Sequence, residues 1–391
     1  MRKNDSGDDI DPQRCRRYDS AMKYRLVAAL LVSVAFTGVA QNGQWEFRSG
    51  PRFWGATIAG RYMFSPPTVE GVETSVTGLL SSAYESVGYY RNPDGSFFRV
   101  PEDGTDEAPV GYNRFDLVWQ VGIQQGVLPR HDVTADRAVA FLTYQGQFNH
   151  PFTEEERLFF ASPRPETEGS LRGSVIGGLA YSVVTTDEIT RARRGLSAEL
   201  AIEWGPPFLH NTVLAVADYN RSTLSLRGYL PVFAADPVEG RNRFSAYLAG
   251  YGAIDWATGP DIPLAVRQSI GGRGPRSAPG GSVRGYGGGR FDSTVKAIGN
   301  VEVRLHLPAI VVPEVIPGLV LYTDAGYYLD TERVSPVEEE NSGMLLSSGA
   351  GFFLDLFASA ELVFYTNYLW TKGDVSAKRW VPFSLGFGFH F

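Results

Sequence analysis

Histidine often supplies a general base or a metal ligand in proteins, and this chain has five. They are His131, His150, His210, His306 and His390. None stands in a motif with Ser and Asp or Asn, as a hydrolase nucleophile and its base would require. No two of them have the spacing of a metal-binding pair. The sequence therefore predicts no catalytic residues, no metal site and no cofactor.

A glycine-rich segment at about 257–292 is the other place where chemistry is suggested. The pairs Gly271-Gly272 and Gly280-Gly281 precede the tetrapeptide 283–286, Val-Arg-Gly-Tyr. A phosphate-binding loop would end in Gly-Lys-Ser or Gly-Lys-Thr and would open a helix, and both features are absent here. On these residues alone, the segment is interpreted as a flexible external loop with an incidental arginine.

From residue 41 onward, apolar and polar residues alternate along the chain with a period of two residues. In 196–204, Leu, Ala, Leu, Ile and Trp alternate with Ser, Glu, Ala and Glu. Successive side chains of a strand point to opposite faces, so this pattern predicts β-strands. In 299–307 the same alternation places Glu302, Arg304 and His306 on one face, where a polar network is the predicted role of His306.

Fourteen strands are predicted from this alternation. They lie near 52–64, 73–91, 109–126, 135–149, 171–186, 193–205, 208–220, 221–235, 241–256, 293–308, 317–329, 343–356, 358–370 and 380–391. A strand at 43–50 and a split of 73–91 would raise the number to sixteen. A single-chain outer-membrane barrel has an even number of strands, and sixteen is the number we expect, with fourteen as the alternative.

The direction of the apolar faces separates a soluble sandwich from a membrane barrel. A sandwich buries its apolar faces, whereas an outer-membrane barrel turns them to lipid and fills its interior with polar groups. Charges such as Glu199, Glu203, Glu302 and Arg304 suit a wet interior, and aromatic pairs near strand ends suit a membrane interface. The predicted fold class is all-β, a transmembrane antiparallel β-barrel. Its backbone groups must all be paired in lipid, so the sheet must close.

The N-terminal region predicts export. The apolar run 26–40 follows Lys23 and Arg25 and ends in small residues, as in a cleaved signal peptide; fifteen apolar residues are too few for a membrane anchor. We therefore expect residues 1–40 to be an N-terminal extension and signal, with Met1 and Met22 both open as the start, and residues 41–391 to be the barrel. The only cysteine, Cys15, lies in the extension. The net charge of −7 argues against a nucleic-acid partner.

Four elements in a fixed order resemble a known family. A Gly-Gly pair and Val-Arg-Gly-Tyr are followed by the strand 299–304, a strand carrying 322–326 and an aromatic C-terminal strand. Over about 263–391 this order resembles the barrel of the BamA/TamA outer-membrane assembly and translocation superfamily, also called the bacterial surface antigen family. Members of that family usually carry periplasmic polypeptide-transport-associated domains. Here the barrel is expected to use the whole mature length, without such domains.

The resemblance implies a site in the glycine-rich loop. The loop is expected to fold into the barrel lumen with the motif Val283, Arg284, Gly285 and Tyr286. There Arg284 would meet two acidic partners on the wall, Glu302 and Asp324. A guanidinium holds carboxylates through paired hydrogen bonds, and Gly285 would let the backbone turn close to the wall. The alternative is that Arg284 only fastens the loop. Arg284→Ala is expected to be more harmful than Arg273→Ala.

The resemblance also implies a seam between the first and last strands, which would part to admit a client strand. The C-terminal strand signal and seam are assigned to Phe383, Leu385, Gly386, Phe387, Gly388, Phe389 and Phe391. Gly386 and Gly388 weaken the strand and Pro382 removes a hydrogen-bond donor, so weak pairing between the first and last strands is expected. Alternatively, these small residues make room for the inserted loop.

Taken together, the sequence predicts a protein of the bacterial outer membrane that assists outer-membrane protein insertion, assembly or translocation. The expected partners are outer-membrane lipid, a client β-barrel or translocated protein, and a periplasmic adaptor. The first alternative is a passive channel or structural barrel, and the weaker one is an outer-membrane hydrolase. The client itself is not specified by the sequence.

Overall fold

A computed structural model gives the fold of most of the barrel region. It describes residues 42–50, 53–64, 73–89, 99–102, 105–109, 111–128, 138–152, 170–187, 191–213, 216–234, 244–267, 269–274, 276–277, 279–286, 293–309, 312, 314–329, 342–356, 360–371 and 379–389. The predicted extension and signal, with Cys15 and Met22, and the terminal Phe391 lie outside the described residues. No helix in the described residues is long and apolar enough to cross a membrane.

Fourteen long strands form one antiparallel sheet in which each strand pairs with the next along the chain. They are β1 (Asn42–Gly50), β2 (Phe53–Phe64), β3 (Thr74–Tyr89), β6 (Gly111–Leu128), β7 (Ala138–Phe152), β8 (Ser170–Ser182), β10 (Arg193–Gly205), β11 (Asp218–Ala234), β12 (Ser245–Asp261), β15 (Val295–His306), β16 (Val315–Leu329), β17 (Ser342–Leu356), β18 (Ala360–Leu369) and β19 (Trp380–Phe389). The predicted all-β antiparallel class is thereby confirmed.

Short elements occupy the connections. They are the hairpin β4 (Arg99–Glu102) and β5 (Thr105–Pro109), β9 (Thr185–Thr186), which adds to the sheet beside β10, the pair β13 (Ser269–Ile270) and β14 (Arg276–Ser277), and the single-turn helices α1 (Leu264–Arg267) and α2 (Pro279–Ser282). Four of these seven, α1, β13, β14 and α2, lie in the glycine-rich segment. The described part of that segment, between β12 and β15, therefore contains short regular elements.

The expected sixteen strands are reduced to fourteen in the described sheet, because 73–91 is not split and 208–220 is not a strand. Two prolines starting at Pro206 follow β10, and a proline cannot donate to a strand ladder. The chain turns instead around the buried side chain of Asn211, whose Nδ2 donates to the carbonyl oxygen of Gly173 at 2.9 Å. β11 begins only at Asp218. The optional strand at 43–50 is present as β1.

The sheet has its polar face covered and its apolar face exposed. On β10, Leu200 and Ile202 are 48% and 56% exposed, whereas Ala201 and Glu203 between them are buried. The same inversion recurs on neighbouring strands, where Leu226, Ile254 and Val301 are exposed. A soluble protein does not expose apolar surface of this extent, but a barrel wall facing lipid does. We call the face that carries the buried polar side chains the inner face.

Charged side chains on the inner face are paired across strands. Arg221 on β11 lies between two buried carboxylates, with Nη2 2.8 Å from Asp255 Oδ2 and Nη1 3.3 Å from Glu203 Oε2. Lys296 on β15 is also fully buried, 3.5 Å from Asp255. A buried charge is tolerated only when it is paired and hydrogen-bonded, so this network fixes the side chains that the loop meets.

Candidate functional site

The connection between β12 and β15 comprises residues 262–294, and its described parts lie against the inner face. We call it the crossing loop. Its described parts contact widely separated strands, from Gln120 on β6, which donates to the carbonyl oxygen of Arg273 at 3.4 Å, to Thr371 just beyond β18, which hydrogen-bonds Tyr286. The interpretation of this segment as a flexible external loop is therefore wrong for the described residues.

Arg284 forms the centre of the loop's contact with β15 and β16. Its Nε and Nη2 donate to the two carboxylate oxygens of Asp324 at 2.7 and 2.6 Å, and its backbone N–H donates to the same carboxylate at 3.0 Å. Its Nη1 lies 2.7 Å from Glu302 Oε1. The structure thus brings together the three charged residues that the family resemblance paired. This is the two-pronged geometry that arginine makes with carboxylates.

The surroundings of Arg284 keep it charged. The Cζ of Arg284 lies 3.5 Å from the ring centroid of Tyr322 and 5.4 Å from that of Tyr365, within the range of cation–π attraction. Burial opposes the charge, but the hydrogen bond to Asp324 and the charges of Glu302 and Asp324 outweigh it and raise the pKa of Arg284 above its ordinary value. The loop therefore carries a fixed positive charge into this position.

The ion pairs continue beyond the predicted site. Glu302 accepts a second bond from Arg304 Nε at 2.7 Å, and Arg304 Nη1 lies 2.6 Å from Glu361 on β18. Charges of alternating sign therefore run from Asp324 through Arg284, Glu302 and Arg304 to Glu361. Sequence reasoning found Arg304 on the polar face but missed Glu361. The only signal was that Glu361 lies near the start of a predicted strand.

The residues beside Arg284 hold the loop by packing and by backbone shape. Val283 and Tyr286 are buried in an apolar cluster with Leu345 and Leu369, and the Tyr286 hydroxyl donates to the carbonyl oxygen of Thr371 at 2.8 Å. Gly285 has φ of 91°, and a Cβ there would lie 2.7 Å from a methyl carbon of Leu369. Only glycine fits a positive φ and so close an approach.

A second contact ties the first half of the loop to β10. Arg273 Nη2 lies 3.0 Å from Glu199 Oε2, and the backbone N–H of Arg273 donates to Glu199 Oε1 at 3.1 Å. The Arg273 guanidinium also lies 4.1 Å from the centroid of the Phe141 ring. The sequence marked Arg273 only as the less important arginine, whereas the structure gives it a carboxylate of its own.

A third contact holds the start of the loop through a lysine that the sequence analysis did not single out. Lys296 Nζ donates to the carbonyl oxygens of Val266 at 2.6 Å and Arg267 at 3.1 Å, at the end of α1, and also to that of Ser269. Arg221 Nη2 donates to the carbonyl oxygen of Gly271 at 3.0 Å. An ammonium and a guanidinium thus replace the water that these loop carbonyl groups would otherwise bind.

The assigned C-terminal strand is present as β19, and its backbone pairs with β18 up to Phe389 opposite Ala360. The pairing contains an irregularity near Tyr365 and Asn367. Cα atoms of β1 and β19 lie within 8 Å of each other. The predicted seam residues Phe383, Leu385, Gly386, Phe387, Gly388 and Phe389 all lie on β19.

The histidine that the sequence placed in a polar network lies among aromatic rings and one hydroxyl. His306 is buried, with Nδ1 3.4 Å from Ser245 Oγ and its ring edge-on to Phe353 at 5.1 Å. Among the described residues, no group of three or more His, Cys, Asp or Glu side chains could hold a metal ion.

Comparisons with known proteins identify the family. Residues 106–369 match the model of the Omp85 superfamily domain. The match begins well before residue 263, where the resemblance seen in the sequence begins. BamA from Haemophilus ducreyi lacking POTRA domains 1–3 is similar over 87% of this chain and 63% of its own length, at 13% identity and a TM-score of 0.48. CdiB from Acinetobacter baumannii is similar over 86% and 50%, at 14% identity and a TM-score of 0.47.

CdiB from Escherichia coli is similar over 86% of this chain and 55% of its own length, at 14% identity and a TM-score of 0.46. The chain therefore spans between 50% and 63% of the length of these three structures. No curated protein matches it. The family match confirms the resemblance drawn from the order of the loop motif and the strands that follow. The chain belongs to the Omp85 superfamily of outer-membrane β-barrel proteins.

Proposed function

We propose that this chain is a closed outer-membrane barrel that assists the insertion or translocation of other proteins, with the crossing loop as a plug in its lumen. The observation that carries the proposal is the attachment of the loop to the inner face through Arg284, Arg273 and Lys296. A loop tied at three places obstructs the lumen, so it does not suit a permanently open diffusion pore. Family membership supports the same kind of function.

Closure of the barrel is part of this proposal. An open sheet edge in lipid would leave unpaired N–H and C=O groups, each costing several kcal/mol. β1 and β19 approach each other and are the natural pair to close it. Pro382 lacks an N–H, and Gly386 and Gly388 weaken the strand, so this pair would open more easily than the others. We propose it as the place where a client strand enters.

The proposed partners follow from the surfaces. The exposed apolar face contacts outer-membrane lipid, and the seam contacts a client barrel or a translocated chain, delivered by a periplasmic adaptor. Residues 1–40 are proposed to act as the export signal and its extension. No cofactor, metal or nucleic acid enters this function.

The test is reconstitution into liposomes with an unfolded eight-stranded client barrel. We expect the client to fold, measured by its compact gel mobility, faster than in liposomes without the protein, and faster than with the Arg284→Ala variant. A translocation arm measures protease protection of an unfolded secreted protein inside the same liposomes. Ion conductance without either activity would replace the proposal with a passive channel. Detergent-dependent ester hydrolysis would replace it with a hydrolase.

A further inference from the structure

Three arginine guanidiniums lie over tyrosine rings on the inner face, outside the group of ion pairs around Arg284. Arg193, at the start of β10, lies 5.7 Å from the ring centroid of Tyr229. Arg227 on β11 and Arg276 in the crossing loop share one ring, that of Tyr251, at 5.5 and 3.9 Å. We call these three side chains the arginine cluster.

Within the part of the chain that the structure describes, the arginine cluster has no carboxylate of its own. Among the described residues none of the three forms an ion pair, and the nearby carboxylates Glu302 and Glu361 are already bound by Arg284 and Arg304. The positive charges of Arg227 and Arg276 also lie close together, because both guanidiniums contact the ring of Tyr251. The overall charge of the chain is −7, so this local excess of positive charge is not a consequence of composition.

In the part of the chain that is described, the side chains of the arginine cluster are accessible to a ligand. Arg227 and Arg276 are exposed and Arg193 is half-buried. Arg193 begins its strand, whereas the crossing loop leaves and rejoins the sheet at the opposite ends of the strands, after Asp261 and before Val295. A chain entering the barrel from the end at Arg193 would therefore meet these guanidiniums before it met the bulk of the loop.

The chemistry of the cluster selects a class of ligand. Guanidinium groups bind carboxylates or phosphates through paired hydrogen bonds, and the tyrosines add flat faces and hydroxyl groups. A lipid is disfavoured, because acyl chains need the apolar surface that this protein presents on its other face. Arg193 and Arg227 lie on neighbouring strands over different rings, and Arg276 comes from the loop, so the guanidiniums are spread over the inner face instead of lining one pocket. This spread suits an extended chain bearing several carboxylates.

We propose that the arginine cluster binds acidic segments of a polypeptide that enters the barrel. This inference rests on the proposed closed barrel and deepens the proposed function by naming the charge of the segment that is handled. The proposed contacts are ion pairs between solvent-accessible groups, so binding should weaken steeply as the salt concentration is raised.

The test uses purified full-length barrel in detergent and a fluorescent deca-glutamate peptide, with binding followed by anisotropy. We expect the variant Arg193→Gln/Arg227→Gln/Arg276→Gln to bind at least about tenfold more weakly, since each exposed ion pair contributes little alone. The control is Arg194→Gln, the exposed neighbour whose Nε donates to Thr185 Oγ1 at 3.2 Å. Successive strand residues point to opposite faces, so this control removes a charge from the other side.

Unchanged peptide affinity in the triple variant, or equal loss in Arg194→Gln, would overturn the inference. Inorganic phosphate that displaces the peptide when chloride of the same ionic strength does not would also overturn the inference, because the site would then be a phosphate site. A heat-stability gel on each variant shows that the barrel is folded. Failed client folding with intact peptide binding overturns the proposed function alone. Normal client folding with equal peptide affinity in the triple variant and the unaltered protein overturns this inference alone.

Discussion

At the scale of single residues, Arg284 joins three parts of the chain that are distant in sequence. It binds Asp324 on β16 with two nitrogens and Glu302 on β15 with the third, while it lies over the ring of Tyr322. The Asp324 side chain is completely buried. If Arg284 were removed, that carboxylate would remain in the protein without its main partner, and desolvation would no longer be compensated.

Arg284→Ala is therefore expected to lower stability by about 3 kcal/mol, the lower end of the range for breaking a buried ion pair. Arg273→Ala should cost about 1 kcal/mol, because its partner Glu199 is partly exposed and solvent screens the pair. The measurement is the temperature at which the barrel loses its compact gel mobility. Equal shifts for the two variants would contradict the special position of Arg284.

Gly285 offers a test of backbone shape without any change of charge. Gly285→Ala should destabilise the loop by about 1–3 kcal/mol, because φ is 91° and the added methyl group would lie 2.7 Å from Leu369. Gly274→Ala is the matched control in the same loop, since a Cβ there would have no atom within 4 Å. The same heat-stability gel should show a loss for the first variant and little change for the second.

At the scale of elements, the crossing loop depends on the strands it touches more than on its own secondary structure. Its helices have four residues each and its two strands have two. Such short pieces are not stable alone. Their geometry is set by Lys296, Arg221 and Glu199, which bind loop carbonyl groups or a loop arginine from the inner face. The loop should therefore stay attached while the sheet stays folded.

A disulfide between the loop and β10 tests this attachment. A Cβ at Gly272 would lie 3.1 Å from the Cβ of Ala201, and a small shift, with movement of the Glu199 carboxylate that this Cβ would also meet, gives the roughly 3.8 Å of a disulfide. Ala201→Cys/Gly272→Cys, made with Cys15→Ser, should oxidise readily and shift its gel mobility, whereas Ala201→Cys alone should not. If the loop must move during client folding, the oxidised form should be inactive and a reductant should restore it. Full activity of the oxidised form would show that the loop acts in place.

The alternation of residues was enough to predict most elements, and its failures have physical causes. Residues 208–220 alternate well, but the prolines after β10 and the buried amide of Asn211 make a turn there. Alternation assigns a side chain to a face without naming its partner across the sheet. Glu302 was therefore found through the family motif, whereas Glu361 and Lys296, which pair across distant parts of the chain, were not.

At the scale of the whole molecule, the protein is inverted relative to a soluble one. Its polar and charged side chains, such as Asp255 and Lys296, are fully buried, and large apolar side chains such as Ile202 and Leu321 are more than half exposed. This accounts for a mean hydropathy of only −0.14, since apolar and polar residues alternate along each strand. The stability of the sheet should then depend on lipid contacting the exposed face.

Arginine placed on that face distinguishes lipid from water as its surroundings. Leu200 lies near the middle of β10 and Leu196 near its start, and the two are almost equally exposed, at 48% and 47%. In a bilayer, arginine costs roughly 2–4 kcal/mol at the midplane and about 0–1 near the interface. Leu200→Arg should therefore reduce folding into liposomes far more than Leu196→Arg does, measured by the urea midpoint of the compact gel band. In water both changes would be tolerated, because a charge on an exposed side chain costs little there. Equal midpoints in liposomes would mean that the apolar band is not centred on β10 as its strand bounds imply.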